Sequence, residues 1–342
     1  MKKRIAMALV FLMVLSMAGC SNSGSKTDGS TASGTTLRIV RQYSIMYAPV
    51  YIMEKANLLE KYLPGVTVEW SELGSGAAIN EALAANRLDI AFMGTPPAII
   101  AWDKGIEMRI LSNLCVSPLG LQVSRPEIAS LADFNTSDKI AMPGLGSIQH
   151  ILLSMACEKE LGDAHALDNN LVAMTHPDAA MSMVSGGDLA GHLTALPYIA
   201  TENEAGFKTL MTGADAFGGD YSTIVAVAAL KLHDENPAAL AGVLAALNEA
   251  MYMINTRDAQ AITIIAETEK ITEEQALAYL DWEGTNYTTT LYGLEGMIDF
   301  MLKEAYISKA PALDELLWEA AHSTIGVRAG ETGILEEAQL RR

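Results

Sequence analysis

The chain has 342 residues, half of them hydrophobic and 19% charged, with a formal net charge of −18. That composition excludes a wholly disordered chain, and a surface this acidic argues against nucleic acid and against docking on anionic lipid. It also lends no long-range attraction to an anion, so any anion has to be held by local groups.

Lys2, Lys3 and Arg4 open the chain, residues 5–17 are apolar except Ser16, and Met17-Ala18-Gly19-Cys20 follows. Basic, apolar, then small is the layout of a secretory signal peptide. The apolar run is shorter than the roughly 20 residues of a membrane-spanning helix. Its ending resembles the lipobox of bacterial lipoproteins, which implies cleavage before Cys20 and lipid attachment to its sulfur. Residues 1–19 are then the signal peptide and 20–36 a lipid-anchored tether. Twelve of residues 21–36 are Ser, Thr or Gly, so the tether is a flexible coil spanning roughly 20–25 Å. The expected location is extracytoplasmic, at a cell surface or in a periplasm, anchored to a bacterial membrane. Loss of the three basic residues in 1–19 leaves a mature charge of −21.

From Leu37 strands alternate with helices. Leu37–Arg41 reads as a strand, Pro49 opens a helix to about Asn57, and Val66–Trp70 is a second strand. Gly74-Ser75-Gly76 turns into a helix carrying Ile79 and Leu83. Asp89–Met93 is a strand, Pro96 and Pro97 start a helix, and Met108–Leu114 is a strand. A second unit follows with strands at Lys139–Met142, Leu171–Met174, Leu189–Leu193 and Phe207–Met211. Its helices run to about Leu161, from Pro177 to Gly186, and from Pro197. Ser222–Ala228 is a last strand. Helices over 238–256, 258–269, 272–281, 291–305 and 311–322 follow, with Thr272 and Gln275 as a capping box. The alternation implies βαβ units, a mainly parallel sheet and two α/β lobes. No segment after the signal reads as a membrane span. Cys115 and Cys157 are either one disulfide or two buried thiols, which sequence does not decide.

Several stretches resemble the solute-binding proteins of ABC importers, in the branch that handles nitrate, taurine, alkanesulfonates and thiamine precursors. They are Tyr47 to Leu59, Ser75 to Ala84 followed by Leu88 to Gly94, Ala141 to Ser147, and His192 to Tyr198, in the family's order. The resemblance implies a two-lobed periplasmic-binding-protein-like fold of type II. The second lobe (121–221) is inserted in the first (37–120 and 222–325), with a helical C-terminal tail. It also implies a small-molecule solute, an ABC permease with its ATPase, no cofactor and a monomer.

In open α/β sheets ligands lie beyond the carboxyl ends of the strands, where helices begin. Gln42–Pro49, Gly94–Pro96, Gly144–Gln149 and Thr194–Pro197 are four such junctions. Helix starts there attract negative charge without a full positive charge. Gly94 and Gly146 let the backbone approach a ligand, and Thr95, Ser147, Thr194 and Gln149 add polar groups. Each hydroxyl equally fits a helix cap. Tyr43 and Tyr47 either stack on an organic solute or sit half-buried. Asp220 and Tyr221, at the second crossover, either meet an amine and cover the ligand or hold a hinge. Arg41 ends the first strand and either meets an anion or turns to solvent. His150, His176, His192 and Asp220 match no metal spacing. No Gly-x-Ser-x-Gly elbow, phosphate loop or zinc helix is present, so an enzyme is the second class of reading. The expected function is capture of a small anionic or polar organic solute, alkanesulfonate or taurine first, by hinge closure. A thiamine pyrimidine precursor, a lipid-anchored enzyme or a sensor module are the alternatives.

Overall fold

The computed structural model describes residues 36–319. The signal peptide, Cys20 and its tether lie outside them, as do residues 320–325.

The first lobe starts as a regular alternation. Strand β1 (Thr36–Arg41) leads to α1 (Ala48–Lys55) and α2 (Leu58–Tyr62), then β2 (Thr67–Glu72), α3 (Gly76–Ala84), β3 (Ile90–Gly94), α4 (Thr95–Asp103) and β4 (Met108–Cys115). Local chemistry places the helix starts. Pro49 and Pro96 sit in first turns, where the missing N–H costs nothing, and the Ser75 hydroxyl accepts from Ala78 N.

After Cys115 the chain crosses to a second sheet. It contains β5 (Gly120–Val123), β6 (Ile140–Met142), α5 (Ile148–Leu161), β7 (Leu171–Ala173), α6 (His176–Val184), β8 (Gly191–Thr194), α7 (Tyr198–Glu204), β9 (Lys208–Thr212) and α8 (Gly213–Phe217). The chain then returns to the first sheet as β10 (Ile224–Ala229). Helices α9 (Leu230–Glu235), α10 (Pro237–Asn255), α11 (Ala259–Glu269), α12 (Glu273–Leu280), α13 (Leu294–Lys303) and α14 (Leu313–Leu316) complete it. The Thr272–Gln275 capping box forms at α12.

The strand orders are β2-β1-β3-β10-β4 and β7-β6-β8-β5-β9. Neither sheet is wholly parallel. β10 runs antiparallel to β3 and β4, and β5 antiparallel to β8 and β9. The reason lies in the crossovers. Both antiparallel strands are the first strand after a crossover, so each enters its new sheet from the carboxyl ends of its neighbours. β5 escaped the sequence reading because Gly-Leu-Gln-Val is four residues long with a glycine and a polar residue in it. It is buried at every position.

Two further expectations change. Within the helix expected over 311–322, the described residues form Leu313–Leu316 and then turn extended at Leu317, while 320–322 lie outside them. Leu317 bridges Ile110 and Trp318 N donates to Ile110 O at 2.9 Å. β4 is an edge strand, and this extended segment covers part of its open backbone. The second concerns Pro237–Asn255, which is long and apolar enough to cross a membrane, with mean hydropathy 1.4. It buries Leu240, Val243, Leu247 and Ile254 in the first lobe's core and packs on α1 and α2, so its apolar character serves the fold. Cys115 and Cys157 are both free and buried, on β4 and α5.

Candidate functional site

The lobes face each other across a cleft and touch. Ser44 Oγ donates to Leu196 O at 3.0 Å and Ile45 N to the same oxygen at 3.3 Å. Ser44 holds φ at 133°, a conformation an L-residue adopts only when its surroundings enforce it. Away from the cleft, the Tyr306 hydroxyl lies 2.7 Å from Ser154 Oγ on α5. Its ring meets His150 edge-on.

Between the lobes lies a cavity of about 20 Å³, measured as space for the centre of a water-sized sphere. That is room for about one water, so the cavity has to widen to hold a solute. From the first lobe the walls are Gln42, Tyr43, Met46 and Tyr47 after β1, Gly74 and Gly76 before and at the start of α3, Gly94 and Pro97 at α4, and Ile224. From the second they are Pro143, Ser147, Ile148, Gln149 and His176.

Four helix starts therefore converge: Gly76 is the first residue of α3, Gly94 caps α4, Ser147 caps α5, and His176 is the first residue of α6. None of the residues lining the cavity is a lysine, arginine or carboxylate. Positive potential here comes from backbone dipoles alone. Ser147 Oγ accepts from His150 N at 3.2 Å, which leaves its own proton to donate. Tyr47 OH donates to Gln42 Oε1 at 3.0 Å, which leaves the Gln42 N–H groups.

Of the residues singled out from sequence, Tyr43, Tyr47, Gly94, Ser147 and Gln149 line the cavity. Thr95 does not. It is buried, and its hydroxyl donates to Ser222 O at 2.5 Å, tying α4 to the return crossover. Thr194 is buried behind the wall, 3.1 Å from His176 Nδ1. Gly146 lines a neighbouring groove with Ile100 and Leu145 instead; its φ is +73° and its N–H donates to His150 Nδ1 at 2.9 Å. Asp220 and Tyr221 line a different groove, with Ser117, Pro118 and Trp282. Arg41 turns from the cavity to pair with Glu72 and Glu54, its guanidinium 4.5 Å from the centre of the Tyr51 ring.

The junctions before α3 and α6 join the site with little to mark them in sequence. Glycines 74 and 76 and the Thr175-His176-Pro177 start are their local signals. Gly76 is required by packing, since a Cβ there would lie 2.5 Å from Pro97 Cβ.

Behind Gln149 runs a buried polar chain. Gln149 Nε2 is 3.1 Å from His176 Nε2, His176 Nδ1 is 3.0 Å from His192 Nε2, and His192 Nδ1 is 2.6 Å from Glu202 Oε1. Burial pushes Glu202 up to about 8 and His192 down to about 3. Burial, then the neighbouring His192, holds His176 well below its ordinary value.

This placement separates two tests. Thr95→Ala removes a buried hydrogen bond that touches no cavity wall, and is expected to cost about 1 kcal/mol of stability in chemical denaturation. Ser147→Ala removes a cap worth about 1 kcal/mol and also a cavity donor, so it should lower both stability and solute affinity. Equal affinity losses in the two variants would contradict the geometry.

Two mixed α/β sheets joined by crossovers, with helix starts meeting in the cleft between them, define a periplasmic-binding-protein fold. The chain belongs to the NMT1-like family, whose sequence pattern matches residues 35–268. It is 25% identical over 275 residues to an Escherichia coli (strain K12) protein named for aliphatic sulfonate binding, covering 79% of this chain and 83% of that one. The alkanesulfonate-binding protein SsuA from Xanthomonas axonopodis pv. citri, solved bound to MOPS, superposes with a TM-score of 0.71 at 18% identity. The match covers 84% of this chain and 99% of that one. The periplasmic aliphatic sulphonate binding protein SsuA from Escherichia coli gives 0.62 at 22% identity, over 84% and 93%.

Proposed function

We propose that the protein is the extracytoplasmic solute-binding component of an ABC importer and that its solute is a small oxyanion, an alkanesulfonate first. The observation that carries this is the meeting of four helix N-termini in a cavity walled without a carboxylate. Such a site attracts a negative group through helix dipoles, with N–H groups at the starts of α3 and α5; Pro96, Pro97 and the Thr95 N–H bond to Thr223 O leave α4 its dipole alone, and the protein's net charge does not need to help. The sulfonate-binding relative and the sulfonate-binding structures support the same class. Asp220 lines a separate groove, which removes the reason for expecting an amine on the solute and favours plain alkanesulfonates over taurine. Tyr43 and Met46 provide surface for the alkyl end.

Capture works through differential affinity. A solute touching both lobes stabilises the closed arrangement, which the permease and its ATPase then recognise. We take the links at 116–119 and 218–223 as the hinge, between a first lobe of 37–115 and 224–319 and a second of 120–217. The lipobox-like Cys20 and the tether support attachment to the outer face of a membrane, with the binding body a monomer free to swivel.

The test is thermal melting of the full chain in detergent, unfolded and refolded to strip carried-over solute. Ethanesulfonate, MOPS, taurine, nitrate and an aminopyrimidine are compared. At a hundred times its dissociation constant a ligand adds about 2.7 kcal/mol. A raised midpoint with the sulfonates is expected. A shift with the aminopyrimidine alone would move the assignment to a thiamine precursor, and no shift with any would reject the oxyanion reading.

A further inference from the structure

We propose that Glu202 is a positioning residue which, through His192 and His176, decides whether Gln149 donates or accepts in the cavity, so that an oxyanion is captured together with one proton. The inference rests on the oxyanion reading above.

The geometry leaves two arrangements of the chain. Each neutral imidazole has one donor and one acceptor nitrogen, so orienting one ring orients the next. With Glu202 ionised, His192 Nδ1–H donates to the carboxylate and His192 Nε2 accepts from His176 Nδ1–H. His176 Nε2 then accepts, and Gln149 must offer its N–H to it. That leaves the Gln149 carbonyl oxygen, a poor partner for an anion, to the cavity that Gln149 lines. With Glu202 protonated, every bond reverses. Glu202 Oε1–H donates to His192 Nδ1, His192 Nε2–H donates to His176 Nδ1, and His176 Nε2–H donates to the Gln149 carbonyl. The Gln149 amide is turned over and its N–H groups serve the cavity. The second arrangement holds one more proton, taken from solvent and kept on Glu202, and both rings stay neutral throughout.

Three observations support a chain that responds in this way. His192 and Glu202 are fully buried and His176 and Gln149 nearly so, which shields the chain from water. Glu202 Oε2 is buried with no partner, so no second donor fixes the carboxylate in its ionised form. Among the described residues no charged side chain compensates it either. His192 of β8 lies against Glu202 and His176 of α6 behind it. β5 places Gln122 opposite His192, and Gln122 bonds Thr209 of β9; neither is charged. On its own helix, Tyr198 stacks on His176 at 5.7 Å between ring centres. Burial is the cause that raises Glu202. Thr194 Oγ1, 3.1 Å from His176 Nδ1, can accept in one arrangement and donate in the other.

The probe is ethanesulfonate, which does not titrate near neutral pH. Its dissociation constant is measured by calorimetry on the full chain, in buffers of differing ionisation enthalpy, from about pH 6 to 9.5. With the free-state transition near 8, affinity should be about tenfold weaker at pH 9 than at pH 7, with uptake approaching one proton at the alkaline end. Glu202→Gln cannot ionise, and with its amide N–H turned to His192 it stands in for the protonated acid. It should lose the pH dependence of affinity between pH 7 and 9. In parallel, 15N resonances of the ligand-free protein should show His176 and His192 changing from Nε2–H to Nδ1–H tautomers as pH rises.

Fixed tautomers across this range overturn the proposal, whatever ethanesulfonate does. Changing tautomers with a flat affinity profile overturn the coupling to the anion. Changing tautomers with no ethanesulfonate binding at any pH support the hydrogen-bond switch and reject the sulfonate assignment.

Discussion

Gly146→Val is expected to weaken solute binding by about tenfold or more while each lobe stays folded. Gly146 belongs to the second lobe, yet a Cβ on it would lie 2.8 Å from Ile100 Cδ1 of the first. A branched side chain there wedges the lobes apart in the groove beside the cavity. It also strains the turn, because φ is +73° and the left-handed region costs an L-residue roughly 1–2 kcal/mol. Gly144→Ala separates the two effects. Its φ is +151°, and nothing lies within 4 Å of the added Cβ. That variant carries backbone strain in the same turn without the wedge. Calorimetric affinities and melting midpoints of both should show comparable loss of stability but a loss of affinity much larger in Gly146→Val. Equal loss of affinity would mean that closure at this contact does not limit capture.

A second large effect is on stability against pH. Burial raises Glu202 to about 8 and Glu269 to about 7. The folded protein therefore holds protons that the unfolded chain releases above its ordinary carboxyl range near 4.5. That stabilisation is complete below the unfolded value and is lost as pH rises through the folded ones. His176 and His192 act in the other direction. The folded state keeps them neutral, so protonation of the unfolded chain below about 6.5 costs stability as pH falls. His150 is lowered by burial and His165 is raised by its bond to Asp168, so these two oppose each other. Carboxyls and buried histidines thus counteract one another between about 4.5 and 6.5, and from about 6.5 to 8 the carboxyls act in the same direction as the raised His165. Urea midpoints should fall between pH 6.5 and 8.5, and Glu202→Gln should reduce that fall. A midpoint that holds steady or rises would show that neither carboxyl is protonated in the folded protein near neutrality.

The Glu269 cluster shows how such a group survives at low polarity. The Tyr51 hydroxyl is 2.6 Å from Glu269 Oε1 and 2.7 Å from Ser44 O. Its single proton satisfies one oxygen fully at a time. A protonated Glu269 resolves the shortage by donating to Tyr51, which then donates to Ser44 O. This cluster also supports the strained Ser44, whose side chain holds the second lobe.

The alternation of strands and helices was legible because each element carries its own signal. Apolar runs such as Ile-Ala-Phe-Met mark strands buried on both faces. Prolines at 49, 96, 177 and 237 mark first helical turns. The helix starts at 94 and 147 were legible as cavity walls for the same local reason. The starts at 76 and 176 carry equal local chemistry, but nothing near them in the chain says which lobe they will face.

Thr95, Thr194, Asp220 and Tyr221 show the limit from the other side. All four stand at strand-to-helix junctions or crossovers, where ligand contacts are expected. Two of these residues point into the fold and two border a different groove, because side-chain direction depends on which neighbours are packed alongside. The antiparallel β5 and β10 had the same obscurity. Strand direction depends on where the chain re-enters a sheet, and no residue encodes that locally.

Composition, charge and periodicity determined by themselves that this is an acidic chain of alternating strands and helices whose helix starts suit an anion. Those properties come from neighbours a few residues apart. Tertiary structure decided which four helix starts meet, that Arg41 serves an ion pair, and that Glu202 lies buried behind Gln149. These are contacts between residues tens of positions apart in sequence, and only packing brings them together.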